Sequence, residues 1–321
     1  MLDSFSHFSS SFHDIINFEV TINSGQTFLW EKYNNSWYGV YGEHILKFTT
    51  TNYSLQYGNV YSNIEKDDNT IEFFSFPEFK NWQRHIFRLN DNFKEILSSF
   101  SKDTVISKTI TMYPGLRLMR QEPHQCIFSF VCSSNTSINM IRRMLKNLSR
   151  KFGKKIIVDG KPFYTFPTAK TINNATISEL ALCGVGFRAK ALKAVAENIM
   201  SGDLDINLLL TDNYDTAKKQ LMKINGIGNK IADCILLFSL EKLEAFPIDI
   251  WIARAIRSHY HWLISENKNQ NMRKNSVIGE KLSACQYKNF SEIIRNYFGK
   301  YAGYAQQYLF YDIRNSSAKK W

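Results

Sequence analysis

Hydrophobic and polar positions change their period along this chain. Trp37–Val40 and Ile45–Thr49 alternate apolar and polar residues, and Tyr41-Gly42-Glu43-His44 between them has the character of a hairpin turn. Phe18–Ile22 alternates in the same way and Leu55–Tyr61 continues it, so an antiparallel sheet is expected, with Phe, Tyr and Trp on its packed face. Pro77-Glu78-Phe79 and Arg84–Ser99 shift toward helix, while Ser101–Met112 fits either a linking helix or a strand. From Glu122 onward the period is helical. Gln125–Val131 is apolar nearly all round, which marks a buried helix. Leu192, Val195, Ala196 and Ile199 form one stripe along Arg188–Met200, and Tyr214–Ile224, Asn229–Leu240, Asp249–Tyr260 and Phe290–Ile313 read likewise. The polar stretch Ile264–Arg273 is expected to be a loop. The fold class is therefore α+β. An N-terminal antiparallel β domain is expected over 1–107 and a larger helical part over 108–321.

Composition narrows the partners. At 321 residues the chain can form two or more packed units, and Lys and Arg exceed Asp and Glu by eleven, 40 against 29. That balance favours a polyanionic partner. Cys126, Cys132, Cys183, Cys234 and Cys285 are scattered, odd in number and without a Cys-x-x-Cys pair. Reduced thiols in an intracellular protein are expected, not a disulfide framework or a zinc site. No apolar run approaches the ~18 residues of a membrane span, and no basic stretch opens a signal peptide, so neither is expected.

The most informative stretch is Leu221–Asp249. A short amphipathic piece turns on Ile224-Asn225-Gly226-Ile227-Gly228 and enters the apolar run Asn229–Leu240, a helix–hairpin–helix at about 216–240. Gly226 and Gly228 permit positive φ and leave backbone N–H groups unobstructed, and a helix starting there aims those groups and its positive dipole end at any nearby phosphate. Lys230 lies in the first helical turn and shares a face with Cys234 and Phe238, so it is the polar member of an apolar stripe. Desolvation favours a neutral amine, and a neutral lysine is a nucleophile. Asp249 follows Pro247-Ile248 at the start of the next helical run. An ordinary hairpin with a surface lysine and a capping aspartate would share this pattern.

The hairpin with Pro247-Ile248-Asp249 resembles the helix-hairpin-helix–Gly/Pro/Asp superfamily of DNA glycosylases, and more closely the 8-oxoguanine DNA glycosylase family. Four further groups of motifs are similar and in the family's order: Asn23–Trp30; Gln121-Glu122-Pro123 with Phe128–Phe130 and Cys132–Asn135; Gly184–Ala189; and Tyr301–Gln306. The resemblance implies a two-part all-α glycosylase core after the β domain. It also implies a bifunctional enzyme that removes 8-oxoguanine from duplex DNA and nicks the abasic site through a lysine Schiff base.

Site roles follow residue by residue. Lys230 would attack the sugar C1′, and Asp249 would stabilise the cationic sugar and move protons. Gly25 would accept the N7–H that 8-oxoguanine has and guanine lacks, Gln306 would read the Watson–Crick edge, and Phe310 would stack on one base face. Cys234 would cover the other face, and Phe238 is either pocket wall or core. Asn135 and Arg188 would contact the base left behind, and Phe187 would wedge into the gap. Backbone N–H groups of Gly226, Gly228 and Ile231 would hold a phosphate. Carbonyls of Met222, Ile224 and Ile227 match a hairpin cation site of the superfamily. No cofactor is required by the resemblance, and only Cys285 follows Asp249, so the four-cysteine iron–sulfur loop of related enzymes is not expected. A monomer acting with DNA inside the cell is expected.

Two positions depart from the family. Met140 stands where an arginine usually contacts the opposite cytosine, which predicts weaker discrimination of that base. Trp251 replaces a histidine two residues after Asp249, leaving an indole N–H as the one polar group there. Two other functions remain open: a glycosylase for an alkylated or oxidised pyrimidine lesion, and a catalytically silent DNA-binding module. Lys230 together with Asp249 speaks against the second, because phosphate binding needs neither.

Overall fold

The alternating segments Trp37–Val40 and Ile45–Thr49 pair in a sheet. The computed structural model describes residues 8–10, 16–50, 71–266 and 282–318. Strands β1 (Phe8–Ser10), β2 (Trp30–Tyr33), β3 (Ser36–Tyr41), β4 (His44–Thr50) and β5 (Ile71–Phe76) lie in the order β1-β5-β4-β3-β2, with every pair antiparallel. In the β3–β4 hairpin Val40 opposes Ile45 and Tyr41 opposes His44, so Gly42-Glu43 forms the tip with Gly42 at φ 57°. Trp30 opposes Gly39, where a Cβ would lie 2.5 Å from the indole, so the glycine makes room for the ring. Trp30, Trp37, Phe48 and Phe73 bury against Trp82 and Phe87. Leu55–Tyr61 lies outside the described residues.

Phe18–Ile22, expected as a strand, is instead helix α1 (Phe18–Asn23). The Asn17 side chain accepts the Val20 N–H at 3.0 Å, an N-cap that draws the chain into a helical turn. Phe18, Val20, Thr21 and Ile22 are all buried, because the sheet and the helical part cover different sides of this short element. So short a span does not separate a period of 2 from one of 3.6.

Helices α2 (Trp82–Ile86), α3 (Phe93–Ser98) and α4 (Thr104–Met112) follow, so Ser101–Met112 resolves as a helix, with Asp103 accepting the Ile106 N–H at 2.8 Å. Then come α5 (Pro123–Cys132), with eight buried residues, and α6 (Ile138–Phe152). An unexpected hairpin, β6 (Lys155–Val158) and β7 (Lys161–Tyr164), turns on Asp159-Gly160 at φ 50° and 71°. It docks on the first sheet, with Phe163 stacked on Tyr38 at 4.9 Å.

The rest is α7 (Ala169–Asn174), α8 (Ile177–Leu180), α9 (Arg188–Ser201), α10 (Ile206–Thr211), α11 (Tyr214–Leu221), α12 (Asn229–Ser239), α13 (Ile250–His259), α14 (His261–Glu266), α15 (Ala284–Phe298) and α16 (Ala302–Ala318). The run Phe290–Ile313 is not one helix. It breaks at Gly299, whose φ of 67° ends α15, and resumes after a short 3-10 turn. Ile264–Glu266, expected in a loop, belongs to α14, and residues 267–273 lie outside the described residues.

The largest core brings Phe28, Phe93, Ile96 and Ile106 together with Ile127, Leu148, Leu236 and Ile256. An ion-pair fork adds to this: Arg88, fully buried, donates to both oxygens of Glu241 at 2.8 Å each, and Arg120 adds bonds of 2.7 and 3.0 Å. Glu241 lies just beyond α12, so the fork fixes the far end of the helix that carries Lys230. The five cysteines are free thiols, and Cys285 alone is exposed. Among the described residues, no helix is long and apolar enough to cross a membrane.

Candidate active site

The hairpin turn between α11 and α12 requires one of its two glycines. Gly226 has φ 97°, and a Cβ there would strike Ala191 of α9. Gly228 has an ordinary φ of −96° and open space where a side chain would go. Behind the turn, fully buried Asp233 accepts from Tyr214 at 2.6 Å, Lys218 at 2.9 Å and Tyr287 at 2.7 Å. Burial pushes its carboxyl up against the pull of Lys218 and the hydroxyls. The Tyr287 hydroxyl also accepts the Ile248 N–H at 3.0 Å, so one buried group holds α11, α12, α15 and the segment leading into Asp249.

Lys230, in the first turn of α12, is half-buried. Its Nζ donates to Ser133 Oγ at 3.3 Å and lies 5.4 Å from the centre of the Phe130 ring. Asp249 caps α13, its Oδ1 accepting the Trp251 N–H at 3.0 Å and the Ile252 N–H at 2.9 Å. Burial raises its carboxyl above the ordinary aspartate value, against those N–H groups and the Lys230 charge. Cys234 is buried and its thiol is pushed up to about 12, with Lys230 pulling down and Asp249 pushing up. Burial thus favours the neutral thiol, against the pull of Lys230. The three side chains share one electrostatic site. Phe238 stacks on Phe130 at 5.5 Å and 10°, so it packs in the core beneath the ring that Lys230 overlies.

On α16, Gln306, Phe310 and Arg314 recur every fourth residue. Gly303 allows this helix to come close: a Cβ would lie 2.9 Å from Leu243 O and 3.1 Å from Ala245 O. Gln306 is 5% exposed; its Nε2 donates to Pro247 O at 3.2 Å, while its Oε1 is buried without a partner among the described residues. Gly25 has φ 86°, and a Cβ there would meet Arg314, the Phe310 ring edge at 2.9 Å and Ile138 at 3.1 Å. Gln26 anchors this segment, donating to Thr21 O at 3.1 Å and Arg117 O at 2.9 Å and accepting the Met119 N–H at 2.7 Å. Gln307 Nε2 donates to Ser24 O at 3.0 Å. The sequence motifs include Gln26 within Asn23–Trp30 without a role of its own and leave out Gln307 and Arg314, although the spacing from Gln306 to Arg314 is legible there.

The residues expected to contact the opposite base, Asn135, Phe187 and Arg188, come together at the start of α9. Phe187 is 71% exposed, between Gly186 at φ 56° and α9. Arg188 is 9% exposed, and its Nε donates to Ser134 O at 3.1 Å, with further bonds from Nη2 to Ser134 O and to Asn135 O at 3.4 Å. Most of its donors thus brace the turn at Asn135, which is exposed at φ 49°. Met140 is also exposed.

At the hairpin, Ala232 N–H bonds to Gly228 O at 2.9 Å, so N–H groups up to Ile231 precede the helical ladder. Met222 is the C-cap of α11, and Ile224 O accepts the Ile227 N–H at 3.1 Å. Among the described residues, no group of three or more His, Cys, Asp or Glu is placed to hold a metal ion.

Residues 11–127 match the family described as 8-oxoguanine DNA glycosylase, N-terminal domain, and residues 128–281 match the HhH-GPD superfamily of base excision DNA repair proteins. An N-glycosylase/DNA lyase of Saccharomyces cerevisiae is 27% identical over 317 residues, covering 90% of this chain and 81% of its own. The 8-oxoguanine glycosylase/lyase of Clostridium acetobutylicum, in complex with double-stranded DNA containing cytosine opposite 8-oxoguanine, superposes with a TM-score of 0.77 at 28% identity. That match covers 98% of this chain and 99% of the other. In its apo form the same enzyme has a TM-score of 0.75 and is 30% identical, covering 92% of this chain and 93% of its own. Matched in both halves and at that identity over nearly its whole length, the chain belongs to the 8-oxoguanine DNA glycosylase/lyase family of the HhH-GPD superfamily.

Proposed function

We propose that this protein excises 8-oxoguanine from duplex DNA and then nicks the abasic site by β-elimination, with Lys230 as nucleophile and Asp249 as its electrostatic partner. The observation that supports this most is the shared site of Lys230, Asp249 and Cys234, on elements adjoining the Gly25, Gln306 and Phe310 group. An extruded base needs a pocket that replaces its lost stacking and hydrogen bonds. Phe310 offers the ring, Gln306 Oε1 an unpaired acceptor for the donors of the Watson–Crick edge, and Gly25 a backbone without a side chain of its own.

The amine of Lys230 attacks C1′ as the C1′–N9 bond breaks, and the base leaves with the electron pair and takes up a proton. Asp249, oriented by two backbone N–H groups, stabilises the positive charge that develops on the sugar. The sugar ring opens to a Schiff base on Lys230, which makes the C2′ proton acidic. Its removal expels the 3′ oxygen with the downstream strand, and water releases the lysine. Cys234, a neutral thiol, offers the base an apolar contact and does not compete as a nucleophile.

The bare backbone at Gly228, with Gly226 and Ile231, is proposed to hold a phosphate. Carbonyls of Met222, Ile224 and Ile227 suit a hard cation by donor type, with one lone pair of Ile224 O already used by Ile227. Phe187 is proposed as the wedge, Asn135 as the opposite-base contact, and Arg188 as the brace of that turn with a donor to spare. The reading needs neither a redox cofactor nor an iron–sulfur cluster. It places a monomer on double-stranded DNA within the cell, with a β domain at 1–107 and the catalytic core at 108–321.

The test is borohydride trapping on a duplex with one 8-oxoguanine opposite cytosine. A covalent complex with the parent and none with Lys230→Gln is expected. No complex and no released base from the parent, with activity on alkylated or oxidised pyrimidines instead, would replace the substrate.

A further inference from the structure

The contacts at Gly25 leave one charged group without a role in the reaction described. Arg314 Nη2 donates to Asn23 O at 2.7 Å, laying the guanidinium along the Asn23–Gly25 segment. Its Nη1 occupies the space where a Cβ on Gly25 would go, yet it is buried without a partner among the described residues. Arg142 Nε is likewise buried without a partner, and its charge acts on Arg314 against the attraction of Asp249. A guanidinium has donors only, so a buried free N–H calls for an acceptor that the protein itself does not supply.

The same face of α16 carries the complementary orphan. Gln306 Oε1 is an acceptor without a donor, Arg314 Nη1 a donor without an acceptor, and Phe310 lies between them in the helix. A flat ligand stacked on Phe310 with donors on one edge and an acceptor on the other satisfies both. We propose that Arg314 is a specificity-determining residue that donates its Nη1–H to the C8 oxygen of the extruded base.

This rests on the proposed 8-oxoguanine reading, in which the five-membered ring edge faces Gly25. Guanine has no oxygen at C8. Its N7 lone pair would face the Gly25 carbonyl, where 8-oxoguanine offers an N–H. Arg314 therefore adds an attraction for the lesion to the repulsion of the normal base. The oxygen of the lesion carries the guanidinium contact, so the pocket reads both atoms that distinguish the two bases.

The test uses equilibrium binding in the Lys230→Gln background, with three duplexes that carry 8-oxoguanine, guanine or the abasic analogue tetrahydrofuran opposite cytosine. Arg314→Met, a neutral side chain of similar length, is expected to weaken the 8-oxoguanine duplex about ten- to a hundred-fold, the range for a charged hydrogen bond. The tetrahydrofuran duplex should be unaffected, and the preference for 8-oxoguanine over guanine should fall by the same factor. Arg314→Lys, which keeps a charged donor, should recover part of the loss. Equal weakening of the 8-oxoguanine and tetrahydrofuran duplexes would assign Arg314 to a phosphate and overturn the proposal. An unchanged preference, or one that rises because Arg314 favours guanine N7, would overturn it as well. A Lys230→Gln protein that does not prefer 8-oxoguanine at all would instead refute the substrate reading on which it rests. Should the Met variant not fold, Arg314→Lys carries the test: an unchanged preference then overturns the proposal, and a partial loss confined to the 8-oxoguanine duplex sustains it.

Discussion

Replacing Asp249 by Asn separates the charge of this residue from its place in the fold. Oδ1 of Asp249 accepts two N–H groups, from Trp251 at 3.0 Å and Ile252 at 2.9 Å, and the Asn carbonyl can accept both. Asn and Asp are near-equal N-caps, so α13 should start as before. Burial raises the Asp249 carboxyl above 3.8. A raised value means that the folded state holds the proton more tightly than the unfolded one. The stabilisation from this group is complete below 3.8 and lost as pH rises through the folded-state value. An ionised carboxylate there is thus a cost to the fold, and Asp249→Asn should leave stability at neutral pH unchanged or raise it. Asp249→Ala removes the cap and should cost about 1 kcal/mol. Catalysis should order differently. Both variants lose the negative charge beside the developing cation, and loss of one such group costs about a hundred- to a thousand-fold in rate. Single-turnover release of 8-oxoguanine at saturating enzyme, alongside thermal melts, measures both effects. An Asn variant that excises nearly as fast as the parent, or melts as low as the Ala variant, would refute the reasoning.

Gly228→Ala should fold normally, because the site has open space and an ordinary φ, yet bind intact and damaged duplexes equally less well and with a shallower salt dependence. Unchanged affinity would mean that no phosphate approaches there. Glu241→Gln should destabilise by about 1–3 kcal/mol at neutral pH, discounted because Glu241 is partly exposed. Burial pushes the Glu241 carboxyl up, but Arg120 and Arg88 outweigh it and bring it to about 2 from 4.5. Its stabilisation is present above 4.5 and lost as pH falls toward 2, so the two proteins' denaturation midpoints should converge in acid. Excision opposite adenine, guanine or thymine should lag excision opposite cytosine by less in the parent than in Met140→Arg; equal strictness in the two would remove Met140 from base discrimination.

The parts of the fold that could be read from the chain are those whose cause is local. The β3–β4 hairpin was legible because alternating residues flank a Gly42-Glu43 tip, and α5 because no polar face interrupts Gln125–Val131. The β6–β7 hairpin carried its own signal in Asp159-Gly160, but its strands are four residues long and Val158 is the one buried residue in them, so no clear alternation accompanies the turn. Helix α1 failed for the reverse reason. Its residues alternate, yet two different neighbours cover Phe18, Val20 and Ile22 from different sides, so the alternation does not mark the one packed face of a strand. Gly299 divides what reads as one apolar period because a single left-handed residue ends a helix without altering the stripe on either side.

The site divides along the same line, and its two hairpin glycines show why. Gly226 is explained by the fold: its φ of 97° and the approach of Ala191 exclude any side chain, whatever the hairpin binds. Gly228 is not, because a side chain would meet nothing there. The sequence pattern presents the two as equivalent, and the structure separates them. One belongs to packing, and the other leaves a surface bare that the proposed phosphate would occupy. Arg314 is the opposite case, a residue with no motif around it. Its meaning comes from Asn23, 291 positions away, and from an unpaired N–H that only a folded chain can have. Residues that bind through backbone and turn geometry are visible in a sequence, because the turn itself constrains which residue types fit. Residues that bind through what they lack are visible only once every other partner is in place.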